Sequence, residues 1–122
     1  MQEQRRYIRY NAEGSAIIKP QDGISRNIQA NLVDISFLGI GLEVGEKISS
    51  GTDVEFELTT KLWDKTIIGK GKIKHAQEIK RYDTDILRIG IEFIDVDKET
   101  IQCIINRIQE DICAQARRKK TF

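Results

Sequence analysis

From Ala12 to Ile94 apolar and polar residues alternate, with short polar or glycine-bearing interruptions, and such alternation is the signature of half-buried β-strands. Six strands are predicted. The first runs near Gly14 to Lys19 and stops at Pro20-Gln21-Asp22-Gly23, a turn in which proline fixes φ and glycine tolerates its positive values. Asn27 to Ser36 is the second. After a turn at Gly39, Ile40 to Val44 makes a short third strand, followed by a polar connection from Gly45 to Gly51. Thr52 to Thr60 alternates most cleanly, with Val54, Phe56 and Leu58 on one face and Asp53, Glu55 and Glu57 on the other. Thr66 to Ile79 and Asp85 to Ile94 are longer, joined by Lys80-Arg81-Tyr82-Asp83-Thr84, and Gly69 and Gly71 suggest a bend or bulge in the first of them. Trp63 falls in a predicted loop between strands, where it would pack over a barrel rim. Strands of this length with hairpin-sized links predict a small closed barrel.

Beyond Ile94 the period changes. Ile101, Ile105, Ile108 and Ile112 recur at spacings of four, three and four behind the N-cap candidate Asp97, the pattern of an amphipathic helix. Its isoleucine stripe either completes the core over an open barrel end or pairs with another copy, so a monomer and a homodimer through this helix are both open. One domain is therefore expected, in the order of a flexible N-terminal arm (1–11), a barrel (12–96), a helix (97–118) and a basic tail (119–122). The predicted fold class is mainly β, a six-stranded antiparallel barrel with a C-terminal α-helix.

Composition narrows the function classes. With 122 residues there is material for one hydrophobic core, and with aromatics at only 7% that core rests on isoleucine, valine and leucine. A formal net charge of +1 gives no field that would gather nucleic acid or an anionic membrane, and the strands lack the exposed aromatic row on which single-stranded bases stack. Nowhere does the chain approach the roughly 20 apolar residues that span a bilayer. Met1-Gln2-Glu3-Gln4 leads into charge rather than a signal-peptide run. A cytoplasmic protein with no membrane insertion is expected. Cys103 and Cys113 lie about three turns apart on the predicted helix and cannot bridge within it; with one histidine and no C-x-x-C pair, no metal or cofactor is expected. Neither a Ser/His/Asp order nor a glycine-rich phosphate loop before a helix is present, so an enzyme is not expected.

Candidate chemistry concentrates in two short segments. In Arg5-Arg6-Tyr7-Ile8-Arg9 three guanidiniums fall within five residues and repel one another unless an anion or carboxylate sits between them. Arg5 and Arg9 lie roughly 6 Å apart in a helical turn and roughly 13 Å apart in an extended segment, and either spacing grips a phosphate-bearing small molecule from two sides. Guanidinium forks suit phosphate oxygens, the O6 and N7 acceptors of guanine, and purine faces. A solvated basic N-terminus is the plain alternative. In Asp34-Ile35-Ser36-Phe37-Leu38-Gly39, Asp34 and Ser36 are two apart and project from one face of a strand. The carboxylate can accept from N–H groups on a guanine edge, the hydroxyl can serve a phosphate or the backbone of the turn, and Gly39 permits positive φ and close approach. Taken alone, this segment reads as a self-capped turn. Arg117, Arg118, Lys119 and Lys120 form a solvated tail opposing the negative end of the helix dipole.

In combination the two segments resemble the PilZ family of cyclic di-GMP receptors. That family carries Arg-x-x-x-Arg just before a six-stranded barrel and (Asp/Asn)-x-Ser-x-x-Gly on it, and Arg5-x-x-x-Arg9 and Asp34-x-Ser36-x-x-Gly39 match both. Arg88-Ile89-Gly90-Ile91-Glu92-Phe93 is similar to the family's last strand, with a helix following. The resemblance implies that Arg5 and Arg9 hold phosphates and guanine Hoogsteen edges, that Arg6 adds a stacking or phosphate contact, and that Asp34 accepts from a guanine. Ser36 and Gly39 would shape the ligand bed, and His75 sits mid-strand where relatives often place an aromatic facing the ligand. It further implies a signal made by ordering the N-terminal arm and passed to a protein effector of flagellar, exopolysaccharide or pilus machinery, and so a part in motility or biofilm formation. Gln4, where some relatives have another arginine, favours one bound ligand over a stacked pair. The alternative from the same family is an adaptor with this fold that binds protein through the helix or tail and no nucleotide.

Overall fold

In the computed structural model, residues 8–119 are described, with side chains up to residue 116. Six strands follow in chain order: β1 (Tyr10–Pro20), β2 (Ile28–Ile35), β3 (Gly39–Val44), β4 (Asp53–Thr60), β5 (Trp63–Arg81) and β6 (Thr84–Asp95). The helix α1 (Lys98–Lys119) comes last. The strands close into a ring in the order β1-β2-β3-β6-β5-β4, with every neighbouring pair antiparallel. Closure leaves no free sheet edge.

Three boundaries differ from the alternation pattern. β1 begins at Tyr10, so residues 10 and 11, expected in the arm, belong to the barrel, pairing with Ile35 and Asp34. A register shift between Asn11 and Gly14 breaks the alternation there and hides the start of the strand. Trp63 is not in a loop but opens β5, paired with Thr60 across the two-residue link Lys61-Leu62, and packs half-buried against the core. The β5–β6 link shrinks from five residues to Tyr82 and Asp83, whose φ values of 51° and 64° match the type I′ hairpin that twisted strands favour. A register shift between Lys70 and Gly71 is the irregularity expected from the β5 glycines.

Inward-facing residues from all six strands fill the barrel. Ile18, Ile35, Ile40, Leu42, Leu58 and Ile73 are each 0% exposed and form one cluster with the helix residues Ile101, Ile104, Ile105 and Ile108. Burying one such side chain contributes about 1.5–3 kcal/mol, so this lining is the main source of stability.

Antiparallel order places the start of β1, the β2–β3 turn, the β4–β5 turn and the end of β6 at the same end of the barrel, and α1 closes that end. Its N-terminus is capped by Asp97, whose carboxylate accepts from the Glu99 amide at 3.1 Å and the Thr100 hydroxyl at 3.0 Å. Three side chains pin the helix across the rim: Lys98 Nζ donates to the Phe37 carbonyl (2.9 Å), Arg107 to the Leu62 carbonyl (3.3 Å), and Gln109 to the Tyr10 hydroxyl (2.9 Å). The isoleucine stripe thus completes the core of its own chain. Ile112, expected in that stripe, is 52% exposed, because a 22-residue helix reaches about 33 Å and its last turns run past the rim.

Candidate functional site

A β-bulge decides where Asp34 points. Ala30 and Leu32 face the core, and unbroken alternation would send Asp34 inward with them. Instead β2 shifts register between Leu32 and Asp34, leaving Val33 extra, and Asp34 emerges on the outer surface above Gly41, where a Cβ would meet its Oδ1 at 2.5 Å. The glycine is what lets the carboxylate lie flat on β3. Two guanidiniums converge on it: Arg9 Nη1 donates to Oδ1 at 2.8 Å and Arg88 Nη2 to Oδ2 at 3.4 Å. The two sequence segments, 25 positions apart from Arg9 to Asp34, therefore meet side chain to side chain. With the Arg9 side chain 28% and the Asp34 side chain 15% exposed, the pair is only partly shielded from solvent.

His75 is re-aimed in the same way. β5 shifts register between Ile73, which faces the core, and His75, so the imidazole comes out on the surface and lies over Gly90. The pairings Asn11↔Asp34, Asp34↔Gly41, Gly41↔Gly90 and Gly90↔His75 make one row across five strands. The Cα atoms of Asp34 and His75 are about 14 Å apart by strand spacing, and their side chains lean toward each other over the paired glycines Gly41 and Gly90 between them. One outward row away, a concavity of about 480 Å³ is lined by Ser15, Gln29, Asn31, Glu43 and Ile86, within the size range of small-ligand sites.

Ser36 and Gly39 play other parts than a shared platform with Asp34. Ser36 lies beyond the end of β2 and is buried, its Oγ accepting from the Leu38 and Gly39 amides, both at 3.2 Å, while its own amide donates to the Gly39 carbonyl. Of the two readings of its hydroxyl, the turn backbone takes it. Gly39 does not adopt positive φ; among the described residues the glycines that do are Gly23 and Gly51. It is glycine because a Cβ would run into the Ile91 carbonyl of β6, and this close approach stacks the turn on the next strand. Both residues hold the loop that follows Asp34 rather than facing outward beside it.

Of the residues singled out in the sequence, Arg9, Asp34 and His75 share one outer surface, Ser36 and Gly39 underpin it, and Arg5 and Arg6 lie outside the described residues. Arg88 was not singled out, nor were Gly41 and Gly90. A signal existed: with Leu87, Ile89, Ile91 and Phe93 facing inward, Arg88 and Gly90 must face outward, and a glycine on an outward strand position marks close approach of another group. Among the described residues no group of three or more His, Cys, Asp or Glu is placed to hold a metal ion, and no helix is long and apolar enough to cross a membrane.

Comparison with known proteins identifies the family and the fold. The family model described as PilZ domain matches residues 3–110. Among solved structures, the chain is similar to the PilZ domain with c-di-GMP of YcgR from Escherichia coli, at 18% identity and a TM-score of 0.75, covering 93% of this chain and 98% of that one. It is also similar to the Bacillus subtilis inhibitor of motility MotI/DgrA (15% identity, TM-score 0.65, 98% of this chain and 54% of that one). A third is the K. pneumonia MrkH–c-di-GMP complex (18% identity, TM-score 0.70, 97% and 56%). The chain spans about half the length of the last two. Comparison with curated protein sequences gives no match.

Proposed function

The chain belongs to the PilZ domain family, and from that premise we propose that it is a receptor for cyclic di-GMP that binds the dinucleotide on the outer face of the barrel around Asp34. The observation that carries the reading is the 2.8 Å ion pair between Arg9 and Asp34, which joins the arginine segment to the strand segment on one surface. In the binding step proposed here, the ligand's two phosphates attract Arg9 together with Arg5 and Arg6, while the Asp34 carboxylate accepts from the N–H groups of a guanine. Ser36 and Gly39 keep the turn after Asp34 in place, and His75 closes the far side of the bed.

Exchange is energetically easy at this site. A partly exposed ion pair contributes about 1 kcal/mol or less, whereas phosphate and guanidinium form charge-assisted, bidentate contacts. A dianionic ligand can therefore take Arg9 away from Asp34 at little cost and open Oδ1 of the carboxylate to a base. Drawing the segment that holds Arg5, Arg6 and Arg9 onto the ligand changes the surface beside the helix-capped end, and this is the signal we assign for a protein effector to read. One of the structural neighbours is the Bacillus subtilis inhibitor of motility, and a motility or surface-attachment effector fits the same logic here.

Calorimetric titration with cyclic di-GMP tests this directly. Wild type is expected to bind saturably, with one ligand per chain. Asp34→Ala and Arg9→Ala are each expected to lose about 10- to 100-fold in affinity, the range for hydrogen bonds to charged groups, with ligand-free melting curves close to wild type. A folded wild-type sample that shows no saturable binding would falsify the proposal.

A further inference from the structure

Arg88 stands on β6 opposite Glu43 of β3 in the register, yet its guanidinium reaches past that carboxylate to Asp34 on β2, at 3.4 Å. Glu43 is already engaged: its two oxygens accept from Arg81 at 3.2 and 3.1 Å, in the bidentate geometry arginine favours, and its side chain is 13% exposed. The carboxylate nearest to Arg88 by register is thus neutralised by another arginine, and Arg88 is left to Asp34.

Arg9 and Arg88 hold Asp34 from unlike supports. Arg9 precedes β1 and belongs to the segment that the proposed ligand draws away. Arg88 projects from the middle of β6, paired on one side with β3 and on the other with β5 in the closed ring. When Arg9 leaves Oδ1, Arg88 stays on Oδ2. A guanine presents two parallel donors, N1–H and the exocyclic N2–H₂, and a carboxylate accepts both only if its plane lies in the plane of the base. Each carboxylate oxygen has room for more than one donor, so Oδ2 can keep Arg88 and still accept from the base.

Resting on the cyclic di-GMP reading above, we infer that Arg88 is the positioning residue for base selectivity, fixing the Asp34 carboxylate in the orientation that accepts a guanine edge and rejects an adenine edge. Adenine turns the lone pair of N1 toward the carboxylate, leaving two acceptors face to face, and a site built to bond a donor discriminates strongly against a base that lacks it. Without Arg88 the Asp34 side chain keeps its charge but loses its fixed plane. The attraction of the remaining arginines for the dianionic ligand is then retained while discrimination falls.

The test is a pair of calorimetric titrations, cyclic di-GMP and cyclic di-AMP, on the full chain as wild type, Arg88→Met and Arg88→Lys. Methionine keeps an apolar stem over the sheet and removes the fork; lysine keeps the charge without the fork. For Arg88→Met the affinity for cyclic di-GMP is expected to fall about tenfold with that for cyclic di-AMP unchanged, so the selectivity ratio contracts about tenfold. Arg88→Lys is expected to contract the ratio about threefold. If wild type binds cyclic di-GMP selectively and both variants keep its ratio, Arg88 has no such role and the receptor reading stands. A wild type that binds neither dinucleotide overturns both, and one that binds the two equally overturns the role of Arg88 alone. Should Arg88→Met fail to give a cooperative melting curve, the Lys variant decides by the same ratio.

Discussion

Along β6, neighbouring residues belong to different regions of the molecule. Leu87, Ile89, Ile91 and Phe93 enter the lining of the barrel and are nearly or wholly buried, whereas Arg88 and Gly90 between them face the outer surface, where Arg88 donates to Asp34 and Gly90 lies under the His75 ring. β3 divides likewise, with Ile40, Leu42 and Val44 inside and Gly41 and Glu43 outside. On β2 and β5 the division holds only because each strand is bulged just before its outward residue. Without those shifts Asp34 and His75 would point into a core of isoleucines, where an unpaired carboxylate is untenable. A closed barrel can therefore carry fold stability on one face and ligand chemistry on the other, with bulges reassigning single residues between them. If this division is real, substitutions on the two faces should separate cleanly into losses of stability and losses of binding.

The largest expected effect is on the inner face. Ile89→Ala removes a side chain 1% exposed from a close-packed lining, and unfolding in urea should show a loss of about 2–5 kcal/mol. Titrated under conditions where it remains folded, the variant should bind cyclic di-GMP as wild type does. A loss of affinity without a loss of stability would mean that the two faces are coupled through β6.

Gly39→Ala comes next and should be the exception that sharpens the rule. Its new methyl would meet the backbone carbonyl of Ile91, and backbone cannot swing aside as a side chain does, so β3 and β6 must part locally. Overpacking of this kind costs about 1–3 kcal/mol. Because the turn that Gly39 shares with Ser36 also fixes the end of β2, binding should weaken in the same variant. Melting and titration together check it; a variant as stable as wild type would show that the turn gives way without strain.

How much of this could be read beforehand follows from which physical signals are local. Alternation is local, and it located all six strands, with Val54, Phe56 and Leu58 inside β4 as expected. It failed where side chains do not alternate: Asp64, Lys65 and Thr66 at the start of β5 are all exposed, so nothing in that stretch announced a strand beginning at Trp63. On the helix, Ile104 at 1% exposure replaces Ile112 in the buried stripe; period alone cannot say where a helix overruns the surface it covers. Arg9 and Asp34 were legible as chemistry because their residue types are unusual at those spacings. The convergence of Arg88 on Asp34, 54 positions away, depends on strand order, register and a bulge, and none of these is a local property. For Gly39 the residue type was informative but the reason differed, close approach to β6 in place of positive φ.

The smallest expected effect belongs to His75, and it tests how far the outer face extends as a binding surface. Its ring is exposed and covers Gly90 alone of the neighbouring glycines, so His75→Ala removes only a solvent-facing cover, and stability should stay within about 0.5 kcal/mol of wild type. A base stacked on an aromatic ring gains about 1–3 kcal/mol. An open imidazole at the margin of the bed should give the lower end of that range, so cyclic di-GMP affinity is expected to fall roughly fivefold. Titration of His75→Ala beside Asp34→Ala then ranks the two ends of the row. An affinity unchanged in His75→Ala would end the bed at Gly90 and make the β5 bulge a matter of keeping a polar ring out of the core, whereas a drop as large as that of Asp34→Ala would move the centre of the site from β2 toward β5.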